Sequence, residues 1–150
     1  MRLTLWTDYA LRTLMFVAVN GERACTIAEV AETFAVSKTH LMKVVNKLVR
    51  QGYLESSRGK GGGIRLARPA ADIRIGDLVR ETEEDMAVVG CLAERGFCRI
   101  EECCILQGAM REATLAFLNA LDGYTLADLL VPRARLARSL GLAAHEGRAE

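Results

Sequence analysis

Residues 26–66 read TIAEVAETFAVSKTHLMKVVNKLVRQGYLESSRGKGGGIRL, and their pattern decides the fold. Thr26-Ile-Ala-Glu29 is a capping box, in which the Thr hydroxyl and the Glu carboxylate satisfy each other's backbone amides. A helix therefore starts here and runs to about Phe34, with Ile27, Val30, Ala31 and Phe34 on its apolar side. Only Ala35-Val36 separates it from Ser37, a good N-cap for a second helix that Gly52 ends. Leu41, Val44, Val45 and Leu48 form one buried stripe on that second helix and leave Lys38, His40, Lys43 and Lys47 off it. Two helices joined so tightly, the second with a basic open side, predict a helix-turn-helix. Tyr53–Ser56 and Ile64–Ala67 then read as short strands around Ser57–Gly63, a tip with four glycines and two cations. Such a hairpin is a wing, placed to reach phosphates or the minor groove. A nucleotide-binding loop is excluded, because Gly follows Lys60 where Ser or Thr is needed and no helix opens at Gly63.

The chain on either side fits this centre. Thr7–Asn20 predicts a first helix, with Leu11, Leu14, Met15 and Ala18 at helical spacing and Gly21 as its stop. DIRIGDLVRET, residues 72–82, predicts an extended lead into a short helix that Ile75, Leu78 and Val79 pack inward. Charge is divided unevenly: residues 1–80 hold 13 Lys and Arg against 7 Asp and Glu, and residues 81–150 hold 7 against 12. Between Val36 and Arg68 eight basic residues meet one acid, Glu55, which is the footprint of phosphate binding. On this reading Ser37, Lys38, Thr39, His40 and Lys43 face base edges or nearby phosphates. Lys47, Arg58, Lys60 and Arg65 are phosphate or minor-groove candidates, with Gly61 and Gly62 at the wing tip. Lys47 reads equally well as a solvated side chain.

No apolar run approaches the ~18–20 residues of a membrane span. Asp8 and Arg12 interrupt the N-terminal amphipathic stretch, so it is not expected to be a signal peptide, and the cytoplasm is the expected location. Thiols stay reduced there. Cys91, Cys98, Cys103 and Cys104 nevertheless crowd into GCLAERGFCRIEECC, residues 90–104. An iron–sulfur cluster, a thiol switch, a zinc site and a structural role all remain open on spacing alone, although zinc prefers tighter pairs. Cys25 is expected to be buried and structural. Ile105–Leu121 predicts a long helix whose Leu106, Met110, Ala113, Phe117 and Ala120 step as a heptad seam, widened by Ile105, Ala109, Ala116 and Leu121. A symmetric dimer is the expected use of that seam. Thr125-Leu-Ala-Asp128 caps a further short helix, and Pro132 opens a basic arm.

Taken together, several stretches resemble the winged-helix iron–sulfur transcription regulators, and among them the nitric-oxide-sensing repressors. They are Leu3-Thr4 with Thr7-Asp8-Tyr9, the wing Arg58–Leu66, Ile73–Glu81, and Leu121–Leu129. The likeness runs from Met1 to about Val131. It implies three cluster ligands in the loop before the dimer helix: Cys91, Cys98 and then Cys104, at the Cys-x5-Cys spacing and next to Ile105-Leu106. Cys103 departs from the family pattern, as a bystander or as a replacement for Cys104. Some members place a histidine near the start of the long helix, where this chain has Gln107. The nitric-oxide-sensing members use an aspartate from the first helix of the other subunit, which here is Asp8 of the partner subunit.

The resemblance further implies a 4Fe–4S rather than a 2Fe–2S cluster, a homodimer on an inverted-repeat operator, and nitric oxide as effector. Nitrosylation or loss of the cluster would release DNA. Alternatives are a regulator with a cysteine thiol/disulfide switch, a sensor of iron–sulfur cluster status, and a winged-helix module that binds protein. An enzyme is not expected, since His40 and His145, the only histidines, pair with no nucleophile. The expected organisation is mainly α with a small β-hairpin: a winged helix-turn-helix DNA-binding domain over residues 1–82, a cysteine-rich cluster loop over 83–104, a dimerisation helix and short capping helix over 105–131, and a partly disordered C-terminal arm over 132–150.

Overall fold

The computed structural model describes residues 2–59, 61–94, 96 and 98–142. Helix α1 spans Leu5–Val19 and starts ahead of the expected Thr7, because the Thr4 side chain accepts from the Thr7 amide and caps it. Helix α2, Ile27–Thr33, carries both halves of the expected capping box. It ends on Phe34, after which Ala35 takes a positive φ of 51°. The Ala35 amide donates to Glu32 and the Val36 amide to Ala31, so a left-handed cap makes the tight turn with alanine where glycine is usual. Helix α3, Lys38–Arg50, begins at Ser37 as expected, but the serine side chain makes no capping bond. The preceding turn, rather than the hydroxyl, sets its direction.

Strands β1 (Leu54–Ser57) and β2 (Gly63–Leu66) pair antiparallel, with Leu54 opposite Leu66 and Ser57 opposite Gly63. A single bridge from Cys25 to Ile64 adds a third edge to this hairpin. Gly63 makes that approach feasible: a Cβ there would lie 2.5 Å from the Cys25 carbonyl oxygen. The core lies between the hairpin and α1–α3, around Leu14, Phe16, Val17, Val30, Leu41, Leu48, Tyr53 and Leu54. Cys25 is wholly buried in it, as the sequence leads one to expect.

A short 3-10 turn, Ala70–Asp72, leads into helix α4, Ile75–Thr82, whose Ile75, Leu78 and Val79 close the core from the other side. Then come the brief α5 (Gly90–Ala93), a second 3-10 turn (Glu101–Cys103) and the long α6 (Ile105–Asp122). Helix α7, Leu126–Leu129, has the expected second capping box, and α8 spans Arg133–Ser139. Residues 143–150, which include His145 and the end of the arm expected to be partly disordered, lie outside the described residues.

Packing divides α6 into two parts. Its last turns rest on α4: Leu118 is buried, Phe117 and Leu121 pack on the core, and the Arg80 guanidinium grips both carboxylate oxygens of Asp122 at 2.6 and 2.7 Å. The chain's own core therefore takes up Phe117, a member of the expected seam. The other end stands clear, with Ile105 89% and Leu106 59% exposed and Ala109, Ala113, Ala116 and Ala120 open as well. No helix among the described residues is long and apolar enough to cross a membrane.

Candidate DNA-reading face and cysteine loop

Burial of Leu41, Val44, Val45 and Leu48 fixes the rotation of α3 and turns Lys38, Thr39, His40 and Lys43 outward, all exposed, with Ser37 before them. Met42, which the sequence reading passed over, is 46% exposed in the same turn. Its apolar side chain suits a thymine methyl. The only advance sign was its position off the buried stripe. Lys38 also lines a small hollow of about 290 Å³ with Thr26, Ser56, Ser57 and Gly63, where the starts of α2 and α3 meet the wing.

The wing candidates are less uniform. Arg58, Gly61 and Ser57 are exposed, and Gly62, half-buried, closes the tip with its amide on the Gly59 carbonyl at 2.9 Å. Lys60 lies outside the described residues. Arg65 is tied down at one edge, its Nε donating to the Glu22 carbonyl at 3.0 Å. Lys47 is half-buried, with its ammonium 4.8 Å from the centre of the Trp6 ring.

The first turn of α1 is clamped from far along the chain. Glu83, just past α4, accepts from the Thr4 amide at 2.8 Å, the Thr4 hydroxyl at 2.9 Å and the Thr7 hydroxyl, while Thr7 also meets Thr82 at 2.9 Å. Burial pushes the Glu83 carboxyl up, but these hydrogen bonds outweigh it and hold the group below the usual glutamate value. Asp8 sits in the clamped turn and pairs with Arg12 at 3.0 Å.

Cys91 in α5 and Cys98 in the following loop, both half-buried, open onto one hollow of about 810 Å³ that Arg99, Gln107 and Arg111 also line. Gln107 holds the loop to α6 by donating from Nε2 to the Cys91 carbonyl at 2.8 Å. Cys104 heads α6, half-buried, and Cys103 beside it is exposed. Among the described residues no three Cys, His, Asp or Glu side chains come together as one metal site, so Cys91, Cys98 and Cys104, the three ligands expected from this chain, are not gathered. Their chemistry still fits an iron–sulfur group: the hollow offers two thiols that can ligate iron, with Arg99, Arg111, Glu101 and Glu102 around them. Cys25 is a different case. Burial pushes its thiol up to about 11, which removes it from thiolate chemistry.

A basic helix face beside a glycine-rich hairpin, on this helical scaffold, defines a winged helix-turn-helix DNA-binding transcription regulator. Solved structures share the arrangement. IscR of T. potens matches with a TM-score of 0.71 at 24% identity, over 88% of each chain. CymR, described as the global cysteine regulator of B. subtilis, matches with a TM-score of 0.69 at 25% identity, over 86% of this chain and 95% of that one. The chain belongs to the Rrf2 family of iron-dependent transcriptional regulators, whose model matches residues 3–132. The HTH-type transcriptional regulator NsrR of Geobacillus kaustophilus is 49% identical over 142 residues, 93% of this chain and 96% of its own length. NsrR of Bacillus subtilis is 48% identical over 133 residues, 87% and 90% of the two chains. These relatives are regulators and not enzymes, in line with the sequence reading.

Proposed function

We propose that this chain is a cytoplasmic repressor that holds an inverted-repeat operator as a homodimer and lets go in response to nitric oxide, through an iron–sulfur cluster. The observation that carries this reading is the hollow shared by Cys91 and Cys98, with Arg99, Arg111, Glu101 and Glu102 at its wall. Cys91, Cys98 and Cys104 would hold a 4Fe–4S cluster as thiolates, and Asp8 of the partner subunit would complete the set. The bound cluster supplies iron that reacts with nitric oxide. Asp8 would be the harder and more labile iron ligand of the set, since it offers a carboxylate and not a thiolate. Asp8 pairs here with Arg12, its i+4 neighbour, and would have to leave that partner to hold iron. Ser37, Lys38, Thr39, His40 and Lys43 read the operator, while Arg58, Lys60 and Arg65, with Gly61 and Gly62, follow the phosphates or the minor groove. The exposed apolar face of α6 from Ile105 to Ala120 supplies the dimer contact.

The test is anaerobic absorbance and iron content of wild type, Cys104→Ser, Cys103→Ser and Asp8→Ala, with operator binding before and after nitric oxide. Wild type and Cys103→Ser should be coloured and Cys104→Ser colourless. Colourless wild-type protein that binds operator at full strength overturns the cluster. The exposed Cys103 beside Cys104 favours a second reading, a thiol/disulfide switch, which the same colourless protein would support if a disulfide oxidant released it from DNA. A sensor of cluster status would respond to iron supply without nitric oxide.

A further inference from the structure

We propose that Lys47 is a positioning residue of the reading helix, acting through Trp6, and that this pair passes the placement of the first turn of α1 on to α3. The inference deepens the function proposed above and depends on the cluster only in the part of its test that measures iron. Lys47 is the cation of α3 that does not stand open: its ammonium lies 4.8 Å from the Trp6 ring centre, and both side chains are half-buried. Lys38, His40 and Lys43 are exposed. A cation over an indole face is held by the ring's electron density, more firmly as water is excluded.

Trp6 belongs to the turn of α1 that carries Asp8, and Thr4 and Thr7 tie that turn to Glu83. Lys47 lies in the last turn of α3, away from the exposed N-terminal residues. A shift of the first turn of α1 moves Trp6, and the end of α3 follows through Lys47, which changes the tilt at which Lys38–Lys43 meet DNA. A lysine reaching a phosphate would carry no such message.

The two roles separate in a salt titration of operator binding by the full-length protein purified and kept without oxygen. Removing a phosphate contact lowers the slope of log K against log salt by about 0.9 for each protomer. With Lys47→Gln the slope should stay at the wild-type value while affinity falls about 3- to 10-fold, the range of a cation–ring contact of this kind. Trp6→Leu should show the same loss, the double variant no further loss, and Lys47→Arg, which also stacks on indole, near wild-type affinity. Trp6→Met, which fills the space without a ring, replaces Trp6→Leu if circular dichroism shows the latter unfolded. Trp6 is the single tryptophan, so its emission should shift in iron-free Lys47→Gln. A slope lower by about 0.9, or wild-type affinity in Lys47→Gln, overturns the inference. In anaerobic protein the affinity ratio between iron-loaded and iron-free forms should shrink in Lys47→Gln; an unchanged ratio also overturns it. Wild type that takes up no iron overturns the cluster reading instead, and the salt slope still decides the role of Lys47.

Discussion

Gly76→Ala should uncouple α6 from the DNA-binding unit. Gly76 is buried in the first turn of α4, directly under the carboxylate that Arg80 grips. A Cβ at this position would lie 1.9 Å from Asp122 Oδ1, 2.9 Å from its Cγ and 3.0 Å from Arg80 Nη1. Ordinary contact needs about 3.4 Å or more, so either Asp122 rotates away from Arg80 or the two helices separate. Overpacking of this kind costs about 1–3 kcal/mol. Alanine recovers part of the ~1 kcal/mol by which glycine disfavours a helix interior, less so this close to the helix start. A net loss of about 1–2 kcal/mol remains, and at about 2–4 °C per kcal/mol for a chain of this size the thermal midpoint should fall by about 2–8 °C. Calorimetry on wild type, Gly76→Ala, Asp122→Ala and the double variant decides whether the carboxylate is the obstacle. With Asp122 cut back to alanine, the methyl added by Gly76→Ala has room, and the substitution should be neutral or mildly stabilising. If Gly76→Ala costs as much in that background as in wild type, the clash with Asp122 is not its cause.

Three further outcomes are expected. Ala35→Gly should raise stability by about 0.5–1 kcal/mol, read from denaturant midpoints, because glycine takes the φ of 51° without the strain alanine bears. Glu83 is held below its ordinary value of 4.5, so its contribution to stability is present above that pH and is lost as pH falls through the folded-state value; wild type should lose thermal stability below about pH 4.5 more steeply than Glu83→Gln. Under native conditions a thiol-specific disulfide reagent should label Cys103 first and Cys25 last, with peptide mass mapping as the readout; early labelling of Cys25 would contradict its burial and its thiol near 11.

Local signals carried well from sequence to structure. The boxes at Thr26–Glu29 and Thr125–Asp128 form as written, since each needs only four consecutive residues. The stripe on α3 is buried as its spacing requires. What failed was non-local. The Thr4 cap that starts α1 early is held in turn by a carboxylate 79 positions away, which no window on residues 1–20 contains. The settings of Arg65 and Lys47, both phosphate or minor-groove candidates, were out of view as well, because the Glu22 carbonyl and the Trp6 ring lie elsewhere in the chain. Ala35 gave no warning of its left-handed turn, for which glycine or asparagine is the usual sign. The cysteines were legible as a group of thiols along the chain, but among the described residues they do not come together as one metal site, which spacing alone could not foretell.

Arg133 gives the far end of α1 a counterpart to Glu83. Its Nη2 donates to the carbonyls of Ala18 and Val19 at 3.1 and 2.9 Å, reaching back across the molecule from α8. Pinned by an acid at its amino end and a base at its carboxyl end, the first helix cannot absorb a push by unravelling locally. It behaves as a beam fixed at two supports, and force applied near one support has to emerge in whatever leans on the span. Shortening the chain ahead of Arg133 would free one support.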